Sequence, residues 1–541
     1  MSLRSTALKE LNGGSFDALI VGGGINGAVS GAVLAGRGAR VALIDRGDFG
    51  AFTSQESSNL VWGGFKYLES YEFLLVRKLC VSRNRLIKAY PDNIKPIGFL
   101  ATLDQTSPYP PWLAALGSLA YWAIGSFKTH RPRLLSGRKI ESLEPVVDTS
   151  NARGGVEYYD AYLADNDSRF VFSFIRSAID VGATAANYVE LVDAQRAGQS
   201  WRVTLRDNEA GGEEFTCRAR VIINAAGPFV DTLNTTLGPR TEHRIVYSKG
   251  IHLVVPRLTD SERVLAFFDD SQRLFYVIPM GRRSVIGTTD TRVHQADTAV
   301  TDDDRNFLLK QINDRLDLAV DLSPADVIAE RSGVRPLVVA RIGSDQEDVD
   351  WTKLSRKHEV EVDPARSVVT IYGGKLTDCL NVGEEVAAAV ERLGVPLEDD
   401  TGSWYGEPAA ATRAEFYRHA RLMGLDDLRS KPDVEPLTDR LWRRYGRRAF
   451  QMLDAIRHDP AMGEDIMKSA DYLRVELHLA ARTEMVTKLE DFLRRRSKIT
   501  QVIPEAEVRS SEGLREVAEI LFGKKADAKL IEYFGDLPVS S

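Results

Sequence analysis

Phe16-Asp17-Ala18-Leu19-Ile20-Val21-Gly22-Gly23-Gly24-Ile25-Asn26-Gly27 decides how this chain begins to fold. An apolar run of strand length gives way at once to the pattern G-x-G-x-x-G, made by Gly22, Gly24 and Gly27. The first glycine permits a tight turn, the second lets backbone approach a pyrophosphate, and the third lets the following helix pack closely on the strand. The spacing predicts a small-residue helix from Ile25 to Gly36, whose N-terminus would offer N–H groups and a positive dipole end to an anion. A second strand is predicted from Arg40 to Asp45. Asp45 lies 45 − 24 = 21 residues after the middle glycine, where a carboxylate accepts hydrogen bonds from a ribose diol. Strand, helix, strand in this order implies a parallel sheet with a right-handed crossover. The ligand is therefore a dinucleotide, and the loop alone leaves FAD and NAD both open.

Composition narrows the rest. The 541 residues are 43% hydrophobic and 27% charged, which excludes a disordered or polytopic membrane chain and suggests about two to four domains. Acidic residues exceed basic ones by 77 − 70, a net charge of −7, so there is no basic stripe for nucleic acid. Three scattered cysteines, Cys80, Cys217 and Cys379, exclude a disulfide framework and a Cys-rich metal site and fit a reducing, cytoplasmic compartment. Met1 to Gly14 contains no apolar core of a secretory signal, and none is expected.

Gln105 to Phe127 carries no charge, but Pro108, Pro110 and Pro111 leave only Trp112 to Phe127 uninterrupted. That is shorter than the roughly 20 residues a spanning helix needs. Burial in the core or in a dimer contact is the expected fate of such a helix. Trp112, Tyr121 and Trp122 would equally suit a membrane interface.

Farther along, a helix from Ser168 to Val181 and strands Thr184 to Val189 and Arg218 to Asn224 read as more of the parallel layer. Ile245 to Pro256, Leu274 to Pro279 and Ser284 to Thr289 alternate like half-buried strands. From about Arg413 helical periodicity takes over, as in Met485, Val486, Leu489, Phe492 and Leu493. Pro396, Gly402, Gly406 and Pro408 place a domain boundary near residues 395 to 410.

Thr53-Ser54-Gln55-Glu56-Ser57-Ser58-Asn59-Leu60-Val61-Trp62-Gly63-Gly64-Phe65-Lys66-Tyr67-Leu68-Glu69 resembles the stretch that follows the dinucleotide motif in FAD-dependent glycerol-3-phosphate dehydrogenases. Six further blocks match the same family in the same order. They are Asn224 to Pro228, Lys249 to His252, Ile286 to Asp290, Ser332 to Leu337, Tyr372 to Thr377 and Leu489 to Arg496.

The resemblance implies an α/β fold: a Rossmann-like FAD-binding domain interleaved with a β-rich substrate domain, as in D-amino-acid oxidase, plus an α-helical C-terminal domain. It divides a core of residues 1–400 into FAD-binding segments near 15–95, 150–240 and 330–395 and substrate segments near 96–149 and 241–329. The helical domain covers 405–541. It also assigns the cofactor-binding residues: Gly22, Gly24, Ile25, Asn26 and Gly27, Asp45 and Arg46, Thr53, Ser54, Ser57, Ser58 and Leu60, Gly63 and Gly64, Val189, Ala226, Gly227, Gly374, Leu376 and Thr377. In that assignment the hydroxylated cluster meets the FAD diphosphate, and Gly63 and Gly64 come close to the isoalloxazine.

The family oxidises the secondary alcohol of sn-glycerol 3-phosphate to dihydroxyacetone phosphate and passes the electrons to quinone or oxygen. By resemblance Arg335 and Lys375 form a cationic cradle for the phosphate, with Lys66 and Tyr67 beside them, and His252 is the general base. The chemistry suits the residues: Arg335 offers a planar fork for two phosphate oxygens, Lys375 a mobile point charge, and an imidazole titrates near working pH. His252, Arg335 and Lys375 are thus the catalytic set, and no metal is called for. The family's habits also imply a peripheral contact with the inner face of the cytoplasmic membrane, and a homodimer.

Three departures concern the substrate end. Trp62 replaces the family's histidine before the glycine pair, Lys66 replaces arginine, and Asp378-Cys379-Leu380 replaces Thr-Tyr-Arg. Asp378 is expected to add a like charge beside the phosphate unless Lys375 or Arg335 pairs with it. Another phosphorylated polyol, a hydroxy acid, an amine substrate of the amino-acid-oxidase type, or a flavin-binding scaffold without turnover are the alternative readings. Arg494, Arg495, Arg496 and Lys498 are expected at a solvated helix end, where cations favour the dipole; a partner, membrane or regulatory contact is the other reading. No phosphate loop G-x-x-x-x-G-K-[ST], zinc helix H-E-x-x-H or nucleophile elbow G-x-S-x-G occurs.

Overall fold

Two sheets share the core of the chain in this computed structural model, which describes residues 2–209, 211–269, 271–296, 299–341, 357–428, 435–467 and 470–537. In the first sheet the opening strand, Ser15–Val21, lies centrally and pairs in parallel with Glu213–Asn224 on one side and Val41–Ile44 on the other. Val368–Tyr372 and Thr184–Ala186 extend the parallel order outward. Both faces are buried, as a parallel sheet requires: helices cover one, and strands Val189–Ala197 and Ser200–Asp207 with the helix Leu3–Leu11 cover the other. The helix Ile25–Gly36 begins and ends where its pattern predicts, and it packs against Asp167–Asp180 and Cys379–Arg392.

The second sheet has ten strands. Its longest ladder is antiparallel and lies at one edge, between His243–Pro256 and Ala329–Ala340, with His243 opposite Ala340 and Val254 opposite Ala329. This sheet also takes in Ala152–Leu163 and Ala329–Ala340, which the segment boundaries above give to FAD binding. The strand beginning at Thr184 stops at Ala186. Tyr188 turns the chain with φ +55°, and Val189 opens the next strand.

From Ala410 to Phe534 the described elements are helices. The periodic run near Met485 is interrupted: Met485 has φ +49° and Val486 is non-helical, and a single π-helical turn spans Asp491–Arg496. Met485, Leu489, Phe492 and Leu493 are buried nonetheless, so periodicity identified the buried side chains and misjudged the helix.

The apolar helix Pro111–Ile124 is no core helix. It buries only Ser118 and Tyr121, and leaves Trp112 63% and Leu116 58% exposed. Among the described residues no helix is long and apolar enough to cross a membrane.

Candidate functional site

The glycine loop is closed by backbone crowding. A Cβ on Gly22, whose φ is +110°, would stand 2.4 Å from the Ala225 carbonyl oxygen, and one on Gly27 would stand 1.8 Å from that of Gly22. Only glycine fits at either position. The helix beyond has no side-chain N-cap; the Ser54 hydroxyl accepts from Ile25 N at 3.0 Å. Asp45 accepts from Gly23 N at 2.7 Å and from Gly47 N at 2.8 Å. Burial pushes its carboxyl up and Asp48 adds like charge, while the two backbone donors pull it down. Val189 N donates to the Asp45 carbonyl, and Arg46 stacks 3.9 Å over the ring of Phe229.

Neighbouring segments close round this loop. Thr53 donates to Val334 O at 2.6 Å; Ser57 N donates to Asp167, and the Ser57 hydroxyl accepts from Asn59 N. Asn26 Nδ2 donates to Gly373 O at 2.9 Å, and Gly374, with φ +104°, lies against the same amide. Asn224 Oδ1 holds Ala226 N, and Gly227 turns with φ +55° into open space. Thr377 is buried behind Leu376, while Ser58 and Leu60 are half-buried.

The second cluster stands on the antiparallel ladder. His252 faces Arg331, Gly250 faces Gly333, and Ser248 faces Arg335. Residues two apart on a strand share a face, so two opposed glycines leave a gap between the His252–Arg331 and Ser248–Arg335 rungs. The Arg335 guanidinium lies across that gap, 2.1 Å from where a Gly250 Cβ would sit. It donates to Thr288 Oγ1 at 2.8 Å, and to Thr289 O and Asp290 Oδ1 at 3.3 Å each.

His252 presses against Gly287, and both its ring nitrogens are buried with no partner among the described residues. Burial holds its pKa well below 6.5, and the positive charges of Arg331 and Arg335 lower it further.

Lys375 belongs to a third group. Its Nζ lies 2.5 Å from Tyr67 OH, 4.0 Å over the Tyr67 ring and 5.8 Å from the Trp62 ring. The Trp62 indole N–H is buried beside Tyr158. Gly373, two residues earlier, packs on Val338 and Pro336 of the Arg335 strand. Lys66 stands exposed on the short helix Phe65–Leu68, with Glu69 as its charged neighbour.

Residues 17–397, well over half the chain, match the FAD dependent oxidoreductase family, and residues 431–526 match the C-terminal domain of alpha-glycerophosphate oxidase. Glycerol-3-phosphate dehydrogenase 2 of Mycobacterium tuberculosis is 32% identical over 528 residues, covering 96% of this chain and 86% of its own. The chain belongs to the FAD-dependent glycerol-3-phosphate dehydrogenase family. The aerobic glycerol-3-phosphate dehydrogenase of Bacillus subtilis is 27% identical, covering 91% of this chain and 89% of its own. The fold agrees with that of the glycerol-3-phosphate dehydrogenase from Bacillus halodurans complexed with FAD, at TM-score 0.71 and 22% identity over 97% of this chain and 95% of that one.

The residues present fit the family's cofactor, FAD. Asn26 Oδ1 is buried beside the glycine loop without a partner among the described residues, the space above Gly227 is open, and each Asp45 oxygen accepts one backbone hydrogen bond where a carboxylate oxygen can take two. Gly63 and Gly64 have a second reason to be glycine. A Cβ on Gly63 would meet Tyr121 OH at 2.2 Å, and one on Gly64, with φ +85°, would meet the Tyr67 ring at 2.7 Å.

Two expectations at this family site are corrected. Asp378 does not stand beside the phosphate cradle as an added charge. It is buried and turned to His358 Nδ1 at 2.7 Å and Asn381 Nδ2 at 2.6 Å, and neither Lys375 nor Arg335 is its partner. Arg495 and Arg496 are not solvated. Both are buried against Asp48, and Arg494 reaches Glu56 at 2.8 Å.

Sequence reasoning missed two supports. Arg331 is fully buried and donates to Asp167, Asn59 and Gln55 O, tying the hydroxylated loop to the helix Asp167–Asp180. Asp160 accepts from Gly63 N, Arg83 and Tyr121 OH beneath the glycine pair. Strand parity gave one usable signal, since Arg331 sits four residues before Arg335 and so on the same face.

Proposed function

We propose that this flavoprotein oxidises the secondary alcohol of sn-glycerol 3-phosphate to dihydroxyacetone phosphate. When bound, FAD supplies the two-electron acceptor for the hydride that leaves C2. The observation that carries the reading is His252, a buried imidazole with two unpartnered nitrogens, kept neutral by burial and by two guanidinium neighbours. A neutral imidazole beside an anion-binding arginine is what abstraction of the C2 hydroxyl proton needs.

Arg335 takes the phosphate in this reading, exchanging its bonds to Thr288 and Asp290 for two phosphate oxygens. Lys375, held against Tyr67, adds a point charge to the same anion, and exposed Lys66 draws it toward the site from solvent. His252 receives the hydroxyl proton at one ring nitrogen. Burial, Arg331 and Arg335 disfavour the imidazolium so formed, and the phosphate bound to Arg335 offsets part of that positive charge while His252 holds the proton. Anaerobic titration of the yellow protein tests this. Bleaching of the flavin by sn-glycerol 3-phosphate is expected. Bleaching by amino acids alone would move the chain to the amine-oxidising branch, and no bleaching by any substrate would make it a scaffold.

The electron acceptor in this reading is a quinone met at a membrane surface. Trp112, Leu113, Leu116, Leu119, Ala120 and Ala123 are exposed along one face of the helix Pro111–Ile124, with Lys128 and Arg131 exposed just beyond it. Apolar side chains beside cations suit an anionic bilayer. Flotation with phosphatidylglycerol vesicles should carry the protein, and Trp112→Ser with Leu116→Ser should abolish it. If those changes instead convert a dimer to a monomer in sedimentation, the face is a homodimer contact.

A further inference from the structure

Three consecutive arginines of the helical tail reach across to the segments that wall the dinucleotide site. One wall is Asp45 to Gly50, tied inward by Asp45 to Gly23 N and by Gly50 N to Gly23 O at 2.9 Å. From the opposite side its Asp48, fully buried, accepts from Arg496 at 2.8 and 2.9 Å, from Arg495 at 2.7 Å and from Asn187 at 2.8 Å. The other wall is Thr53 to Ser58, tied inward by Ser54 at the helix N-terminus. Its Glu56 accepts from Arg494 at 2.8 and 2.9 Å, and its Gln55 accepts from Arg495 at 3.2 Å.

All three arginines come from the one π-helical turn Asp491–Arg496, a wound segment of the kind often found at functional sites. Backbone reinforces it: Asn166 Nδ2 donates to Arg494 O at 2.6 Å, and Arg169 donates to Arg496 O at 2.9 Å. We propose that the helical tail is a working part of the FAD site, its π-turn gripping both walls so that tail docking and FAD binding are thermodynamically coupled.

Charge supplies the mechanism. Asp48 and Glu56 are carboxylates in segments that bracket a diphosphate site, and like charges in a partly dry environment repel strongly. Arg331 faces Glu56 from the ladder whether or not the tail is docked, and Arg495 also serves Asp491, but the direct partners Arg494 and Arg496 are present only while the tail is docked. A bound diphosphate therefore favours the docked tail, and the docked tail favours the diphosphate by the same factor. This rests on FAD as the cofactor and is independent of which alcohol is oxidised.

The test measures spontaneous FAD release from the holoenzyme by the fluorescence of liberated flavin. Arg494→Gln and Arg496→Lys should each release FAD at least tenfold faster. Arg448→Gln, which breaks the tail's contact with Asp180 at the far end of the helix Asp167–Asp180, should leave release unchanged. In the wild-type protein, reconstitution with FAD should slow amide hydrogen exchange across Arg474 to Phe534. A folded Arg494→Gln that holds FAD as the wild type does, or tail exchange identical with and without FAD, would overturn the coupling. If the variants fail to fold, the wild-type exchange comparison still decides.

Discussion

The two walls of the site are built on opposite principles. Around the dinucleotide loop most polar groups are committed, Asn26 Oδ1 excepted: Asp45 to two backbone amides, Asp48 to two arginines, Asp167 to Arg331. Around the ladder, a buried polar group is left over: both ring nitrogens of His252 lack a partner among the described residues. Buried polar groups in native proteins are nearly always satisfied, so the unpaired His252 ring marks where a ligand supplies the missing partners. The cofactor wall is a preorganised holder, and the substrate wall keeps its hydrogen-bonding capacity for the molecule that turns over.

That contrast breaks first, and hardest, at Arg335. If the ladder serves substrate and the loop serves FAD, Arg335→Ala should lower kcat/KM for sn-glycerol 3-phosphate by about 10³-fold, since losing a charged partner costs about 2–5 kcal/mol. The flavin-to-protein absorbance ratio should not change. A loss of flavin alongside activity would mean that the two walls are one structural unit.

His252 sharpens the same division. His252→Asn should slow flavin reduction about 10²-fold, the lower range for a general base, with substrate affinity nearly kept. The pH dependence has a definite sign. The neutral imidazole is the active form and its pKa lies well below 6.5, so the wild-type reduction rate should stay flat from pH 8 down through 6.5 and fall only in more acidic buffer. Stopped-flow reduction across pH decides this, and a limb centred at or above 6.5 would remove His252 from the role.

How far this was legible in sequence follows from how local each wall is. The helix Ile25–Gly36, the Asp45 contact with Gly23 and the Gly27 collision with Gly22 are local in sequence, while the Gly22 collision, with Ala225, reaches the end of a distant strand. The pairing of Asp48 with Arg496 joins residues 448 apart, and no periodicity carries that information. Charged residues at a helix end ordinarily favour solvent and dipole, and burial with a carboxylate overrode that preference. Asp378 misled for a related reason. Its neighbour Lys375 turns toward Tyr67, while the short helix Leu376–Asp378 carries the carboxylate to the other side, where His358 waits.

His358 offers the finest test, because it touches the substrate wall only through that short helix. Buried between Asp378 at 2.7 Å and Glu385 at 3.0 Å, with Lys78 at 2.9 Å from Glu385, it anchors the segment that carries Lys375. Burial would lower its pKa, but its two carboxylate partners win and hold it above 6.5; in return its hydrogen bond draws Glu385 down to about 2. The raised histidine contributes stability that is fully present below 6.5 and is lost as pH rises through the folded-state value. The depressed glutamate contributes stability that is present above 4.5 and is lost as pH falls toward about 2. His358→Gln should therefore cost most between pH 4.5 and 6.5, by about 1 kcal/mol given the half-exposed Glu385, and progressively less in alkaline buffer. Thermal midpoints of both proteins across pH would measure it. If KM for the phosphate substrate rises over the same interval while FAD release stays constant, the anchor belongs to the substrate wall alone. A parallel change in FAD release would show that the division between the walls does not reach this helix.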